Sequence, residues 1–135
     1  MDLIKETEKF LEKCDAFAVS SVTEEGYPRI CVLIKLKALG CKTIYFSTST
    51  SSKKIAHYKN NSKAGVTFFD KHDSVTLIGK MTIINDKVEK DALWQDWMTR
   101  HYPNGGKNDP EYGIIRFDAV EATIYINGHF ETVKL

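Results

Sequence analysis

TIYFSTSTSSKK, residues 43–54, joins a strand pattern, a run of hydroxyl side chains and two lysines. Aromatic and β-branched residues come first and predict a β-strand. Six consecutive serines and threonines follow, and helix-forming sequence begins after Lys53 and Lys54. The stretch therefore predicts a strand that ends in a hydroxyl-rich turn, with a helix starting at about Ser52.

Such a junction brings together the groups that bind phosphate. Free backbone N–H groups, the positive end of the helix dipole, hydroxyl donors and two ammonium groups all converge there. The alternative is that Ser51 or Ser52 only caps the helix, while Lys53 and Lys54 are solvated surface side chains. The motif alone leaves both interpretations open.

Length and charge limit the proteins to which such a site could belong. The 135 residues predict a single domain over residues 1–135, so a large ligand must share its pocket with a partner subunit or lie in a surface cleft. The formal net charge of +1 argues against a nucleic-acid binder. No apolar run approaches the roughly 20 residues that span a bilayer, and the acidic N-terminal sequence differs from a signal peptide. We therefore expect a cytoplasmic protein with no membrane association.

The hydrophobic pattern predicts a mainly β chain with a few helices. Helices are predicted over residues 3–14, 52–59 and 87–100. Strands are predicted over residues 16–23, 28–39, 43–46, 64–70, 74–84, 114–118 and 119–126, followed by a turn at Asn127-Gly128 and a short tail. Gly79 interrupts a long strand, as a bend or bulge in a closing barrel would. The pattern indicates a small antiparallel barrel or sandwich with flanking helices.

Motifs for protein-based catalysis or for metal binding do not occur in the sequence. There is no GxSxG, HExxH, paired CxxC or GxxxxGK[ST] motif, and the four histidines are scattered. The three cysteines have no close pairing and are predicted to be reduced thiols. The sequence favours a chain that binds a phosphorylated ligand and lets that ligand supply the chemistry.

Five stretches, taken together and in order, resemble the pyridoxamine 5'-phosphate oxidase-like, FMN-binding split-barrel family. They are GYPRI (26–30), IYFSTSTSSKK (44–54), LIGK (77–80), LWQDW (93–97) and RFDAVEATIYING (116–128). Within the family, the chain is most similar to the short general-stress-protein-26-like members. The resemblance implies a six-stranded antiparallel Greek-key split β-barrel and a homodimer with FMN at its interface.

The resemblance also implies which residues bind the cofactor. Positions at the strand end and the helix start match the family's phosphate site, and residues 29–34 match the strand that lines the flavin ring. A tryptophan of LWQDW matches one that lies near the flavin, contributed across the interface. Relatives often have PRxR where this chain has Cys31 in place of the second arginine. The implied cofactor-binding residues are Arg29, Val32, Leu33, Ser47, Thr48, Ser52, Lys53, Lys54 and Trp94.

The C-terminal sequence INGHFETVKL lacks the arginine that true pyridoxamine phosphate oxidases carry there, so oxidation of vitamin B6 is not expected. The resemblance implies instead an FMN-dependent oxidoreductase that passes electrons from a reduced nicotinamide to a small acceptor. Three alternatives remain at this point. They are a flavin-binding stress protein without turnover, a split barrel that uses a deazaflavin or haem, and a structural domain with an empty pocket.

Overall fold

The computed structural model describes residues 2–135, which form seven strands, three α-helices and two short 3-10 helices. The strands are β1 Ala16–Val22, β2 Pro28–Leu39, β3 Thr43–Ser49, β4 Lys63–Asp70, β5 Asp73–Ile84, β6 Tyr112–Ile126 and β7 His129–Lys134. The helices are α1 Leu3–Lys13, α2 Lys53–Asn60 and α3 Lys87–Leu93, with 3-10 helices at Asp96–Arg100 and Gly106–Asn108.

Six antiparallel strands close into a barrel. Their order is β3-β2-β1-β4-β5-β6, and pairing between β3 and β6 completes the ring. The first three strands follow one another, and the fourth returns through α2 to lie beside β1, which is a Greek-key connection. The predicted mainly β barrel with flanking helices is therefore confirmed, with β7 as an additional strand beside β6.

The barrel is split because β2 changes partners along its length. Residues 28–34 pair with β1, whereas residues 35–39 pair with β3. The end of β3, Ser47–Ser49, pairs with β6 alone. An opening is therefore left between the first half of β2 and the end of β3, and α2 begins directly after it.

The core fills the barrel and extends beneath α1. Alternate residues of the barrel strands point inward, as Phe17 and Val19 do on β1. Phe10 of α1 packs against Phe68 with ring centroids 5.7 Å apart, so α1 covers one end of the barrel. A second, smaller cluster surrounds Tyr112 and packs α3 and the 3-10 helix Asp96–Arg100 against the sheet.

Two element predictions were wrong. The helix predicted over residues 87–100 ends at Leu93, because Trp94 is extended and Gln95 Nε2 donates a hydrogen bond 3.0 Å long to the carbonyl oxygen of Leu36. The two strands predicted over residues 114–118 and 119–126 are one strand, β6. Its register with β5 shifts once, between Ile78 and Gly79, because Val120 of β6 has no partner on β5. The irregularity predicted at Gly79, a bend or bulge, is confirmed as this shift of register between β5 and β6.

Candidate functional site

The hydroxyl-rich stretch connects β3 to α2. Strand β3 continues through Ser49, beyond the predicted end at Phe46, because Ser47, Thr48 and Ser49 all pair with β6. Ser52 is the N-cap residue of α2, but its side chain makes no capping hydrogen bond, and the first turn holds no acidic residue. Ile55 N donates a hydrogen bond 3.1 Å long to Ser52 O, so the N–H groups of Lys53 and Lys54 are the ones that remain available to an anion.

Lys54 is the most informative side chain of this junction. It is only 8% exposed, and its Nζ donates a hydrogen bond 2.9 Å long to Thr48 Oγ1. Thr48 Oγ1 lies 3.4 Å from Ser52 Oγ. Within residues 2–135, no carboxylate lies within 4.0 Å of the Lys54 ammonium. We call Thr48, Ser52 and Lys54 the anion seat, because a nearly buried cation with one neutral partner favours an anionic ligand.

A cleft opens where the end of β3 faces β2, and we call it the strand-end cleft. Its volume is about 320 Å³, and it is lined by Val32, Leu33, Ile34, Ser47, Thr48, Ser49, Trp97, His101 and Tyr102. The Tyr102 hydroxyl donates a hydrogen bond 3.3 Å long to Ser47 Oγ. Burial raises the pKa of the Tyr102 phenol, and the Ser47 hydrogen bond opposes this shift. The phenol is therefore a neutral hydrogen-bond donor at physiological pH.

The two tryptophans occupy different environments. Trp97 lines the strand-end cleft and is 42% exposed. Its Nε1 donates to Gln95 Oε1 at 2.6 Å, and the bond from Gln95 to Leu36 anchors this pair to β2. Trp94 instead packs edge-on against Tyr112, with ring centroids 5.1 Å apart. The structure thus places Trp97 at the strand-end cleft and Trp94 in the smaller core cluster.

A second cleft lies between the β1–β2 turn and α2, and we call it the polar cleft. Its volume is about 360 Å³, and it is lined by Thr23, Glu24, Glu25, Arg29, Lys53, Ala56, His57 and Asn60. Both Arg29 and Lys53, which the resemblance assigns to the cofactor, line this cleft. Lys53 lines the polar cleft, and the next residue of α2, Lys54, belongs to the anion seat. The polar cleft and the anion seat therefore meet at the start of α2.

Most of the implied cofactor residues thus fall into three adjacent groups. Val32, Leu33 and Ser47 line the strand-end cleft, and Thr48 belongs both to that cleft and to the anion seat. Sequence reasoning missed His101 and Tyr102, because they follow a helix that was predicted to be continuous. The sequence feature that could have identified them is the pair of an ionisable and an aromatic residue that opens HYPNGG (101–106), directly after LWQDWMTR (93–100).

The described part of the chain has neither a metal-binding cluster nor a membrane-spanning helix. Over residues 2–135, no group of three or more His, Cys, Asp or Glu side chains is arranged to hold a metal ion. None of the described helices is both long enough and apolar enough to cross a bilayer.

Solved structures with the same fold cover almost the whole chain. A Clostridium acetobutylicum protein related to general stress protein 26 of Bacillus subtilis (pyridoxinephosphate oxidase family) is 30% identical, with a TM-score of 0.89, over 98% of this chain and 94% of that chain. An FMN-binding protein from Nostoc punctiforme, related to pyridoxamine 5'-phosphate oxidase, is 14% identical, with a TM-score of 0.68, over 98% and 93%. A heme-binding protein from Mycobacterium smegmatis is 12% identical, with a TM-score of 0.79, over 99% and 58%.

Sequence comparison identifies the family. No curated protein sequence matches the chain significantly. A family profile described as pyridoxamine 5'-phosphate oxidase matches residues 3–125, which is nearly the full length. Together with the Clostridium protein, this match establishes that the chain belongs to the pyridoxamine 5'-phosphate oxidase family.

Proposed function

We propose that the protein binds FMN, with the phosphate in the anion seat and the isoalloxazine ring in the strand-end cleft. The observation that carries this proposal is the nearly buried Lys54 ammonium, whose one hydrogen-bonded side chain is neutral Thr48. A phosphate would supply the missing negative charge and accept hydrogen bonds from Lys54, Thr48 and Ser52. The FMN-binding protein of the same fold supports the choice of ligand.

The strand-end cleft suits a flavin ring. Val32, Leu33 and Ile34 provide apolar contacts along β2, while Ser47 and Tyr102 provide polar groups at the opposite wall. A volume of about 320 Å³ lies at the low end for a small-ligand pocket. One subunit therefore supplies part of the pocket, and a second subunit is needed to cover the rest.

A homodimer is the second part of the proposal. Ile30 and Val32 are each 68% exposed on the outer face of β2, and Ile34 is 48% exposed. This apolar row continues into a shallow groove lined by Ala18, Ser20 and Gly65. Contiguous exposed apolar surface of this kind marks interaction sites, and a second copy would bury it beside the strand-end cleft.

Replacing Ile30 with aspartate should break this dimer. A carboxylate buried without a partner costs several kcal/mol, so we expect dimer dissociation to be favoured by more than about 100-fold. Sedimentation velocity of both proteins would report the change in mass. Val88→Asp is the matched control, because Val88 is 77% exposed on α3, away from this face. A dimeric Ile30→Asp protein would place the interface elsewhere.

Beyond FMN binding, we propose an activity: the protein is a flavin-dependent oxidoreductase that acts on a small molecule. Bound FMN would supply the hydride and electron transfer, with a reduced nicotinamide as the proposed donor. The chain's own residues would hold the phosphate, orient the ring and exclude water. Because Ser47 Oγ accepts the Tyr102 hydrogen bond, the Ser47 hydroxyl would keep its own O–H to donate to the ring. A flavin-binding stress protein without turnover would have the same site, so nicotinamide oxidation by the FMN-loaded protein separates the two functions.

Titration of the ligand-free protein with FMN and with riboflavin tests the cofactor assignment. Riboflavin lacks the phosphate, so we expect FMN to bind at least about tenfold more tightly in a fluorescence-quenching titration. Equal affinities would remove the anion seat from its assigned role, and no binding of either flavin would overturn the proposal. The absorption spectrum of the purified protein would distinguish flavin bands from the Soret band of haem, which the Mycobacterium protein is described as binding.

Trp97 rather than Trp94 should affect the bound flavin. Trp97→Ala removes an indole from the wall of the strand-end cleft, and we expect FMN affinity to fall by about three- to tenfold, with a change in visible absorption. Trp94→Phe keeps an aromatic ring in the core cluster and is the matched control. The opposite pattern, with a spectral change only in Trp94→Phe, would contradict the placement of the ring.

A further inference from the structure

A third cleft lies on the outer face of the barrel, where β1, β4, β5 and β6 run side by side and all contribute residues. We call it the bulge cleft, because it lies at the shift of register between β5 and β6. Its volume is about 500 Å³, which exceeds that of the strand-end cleft or the polar cleft and falls within the range of small-ligand pockets. It shares no residue with the anion seat or the strand-end cleft.

Two glycines and the shift of register create this recess. Gly65 and Gly79, on adjacent strands, have no side chains to fill it. Val120 has no partner on β5 and is 49% exposed, and Ile78 is 47% exposed. Together with Val22, these two side chains form what we call the apolar wall of the bulge cleft. None of the residues that line the cleft is aromatic, so it suits a flexible aliphatic chain better than a flat ring.

Two lysines stand side by side at one end of the bulge cleft. Lys63 and Lys80 pair directly across β4 and β5, and both are exposed. Neither has a carboxylate within 4.0 Å among residues 2–135. Like charges directly opposite each other on a sheet are destabilising. The pair therefore favours an anion that can neutralise both ammonium groups.

The carboxylates of β6 that come nearest in register already have other partners. Asp118, the β6 partner of the β5 lysine, accepts one hydrogen bond from Thr43 Oγ1 and another from Arg116 Nε, each 2.9 Å long. Glu121 accepts a hydrogen bond, also 2.9 Å long, from Lys134 Nζ. The negative charge that the lysine pair favours is therefore left for a ligand to supply.

We propose that the bulge cleft binds an aliphatic carboxylate of the size of a medium-chain fatty acid. The head group lies between Lys63 and Lys80 and accepts charge-assisted hydrogen bonds from both. The chain lies along the apolar wall, where contact with the protein removes it from water. Because the bulge cleft is separate from the anion seat, this inference does not depend on flavin binding.

The bulge cleft adjoins the face through which we propose that the protein dimerises. It shares Ser20 and Gly65 with the shallow groove beside the apolar row of β2. A second copy that filled the bulge cleft would exclude the carboxylate. The two occupants therefore make opposite predictions for the purified protein.

Titration of the purified protein with decanoate, followed by nuclear magnetic resonance, tests the inference. The backbone amides of Gly65 and Gly79 report from the cleft, whereas Gly113 pairs with Thr48 of the anion seat and is the reference. We expect decanoate to shift the two cleft amides saturably and to leave Gly113 unchanged. Butanoate has the same head group but lacks most of the chain, so we expect it to bind at least about 100-fold more weakly.

The double variant Lys63→Gln/Lys80→Gln tests the head-group contact. We expect its decanoate affinity to fall by at least about fivefold, because the carboxylate loses two charge-assisted hydrogen bonds. Lys5→Gln/Lys59→Gln is the matched control, since it makes the same change in net charge at exposed positions outside the cleft. Circular dichroism shows whether both variants are folded, and the exposure of all four lysines favours this.

Three results would overturn the inference. They are the absence of a saturable shift at the cleft glycines, equal losses of affinity in the two double variants, and decanoate binding only as the dimer dissociates, measured as a fall in mass by sedimentation velocity. In each case FMN binding, and with it the proposed function, is untouched. A protein that binds decanoate but no flavin would overturn the proposed function alone.

Discussion

Lys54→Ala should weaken FMN binding by about 10- to 150-fold, because a charge-assisted hydrogen bond to a phosphate contributes about 1.5–3 kcal/mol. Lys54 is the one charged side chain in the anion seat, and the residue is only 8% exposed. Fluorescence-quenching titrations of the two proteins with FMN would measure the loss. Riboflavin affinity should change by less than about twofold, because riboflavin has no phosphate.

The stability of Lys54→Ala separates a binding role from a structural one. A nearly buried ammonium with only a neutral hydroxyl partner costs free energy in the absence of ligand. Removing it should leave the free energy of unfolding of the ligand-free protein unchanged or slightly higher, measured by urea denaturation. A loss of FMN affinity accompanied by a large loss of stability would mean that Lys54 supports the fold. Unchanged FMN affinity would place the phosphate elsewhere.

The anion seat was predictable because all its groups are close in sequence. A strand, six hydroxyl residues, two lysines and a helix start place Thr48 and Lys54 near each other through local geometry. The barrel was predictable for a related reason, since alternating apolar residues mark each strand and the resemblance supplied the order. The orientation of Lys54 toward Thr48 rather than toward solvent depends on the packing of α2 against the barrel.

The strand-end cleft could be predicted only in part, because its walls come from segments distant in sequence. The apolar spacing of residues 87–100 suits one long helix, and nothing local indicates that Gln95 donates to Leu36 O on β2. That contact ends the helical stretch and turns Trp97 toward the cleft while Trp94 packs into the core. A second long-range contact is equally hidden from local sequence. Lys35 Nζ donates a hydrogen bond 3.1 Å long to Leu11 O, near the end of α1.

The closure of the barrel depends on a close approach between β5 and β6. At Gly79, where the register between β5 and β6 shifts, an added Cβ would overlap the carbonyl oxygen of Asp118 and lie 2.8 Å from the Cα of Ala119. Both neighbours are backbone atoms, so no side-chain rotation can relieve the overlap. Only a shift of one of the two strands can relieve the overlap. One of them, β6, also pairs with β3 beside the anion seat.

Gly79→Ala should therefore lower the free energy of unfolding by about 3 kcal/mol, the upper end for an overpacked site. Gly65→Ala on the neighbouring strand β4 is the matched control, because its Cβ would lie 3.2 Å from the Ser20 hydroxyl, which belongs to a side chain. For Gly65→Ala we expect the free energy of unfolding to fall by less than about 1 kcal/mol. The steric cost is partly offset because alanine lowers the conformational entropy of the unfolded chain. Urea denaturation of both variants would measure the difference. Equal effects would mean that the approach of β5 to β6 does not constrain the barrel.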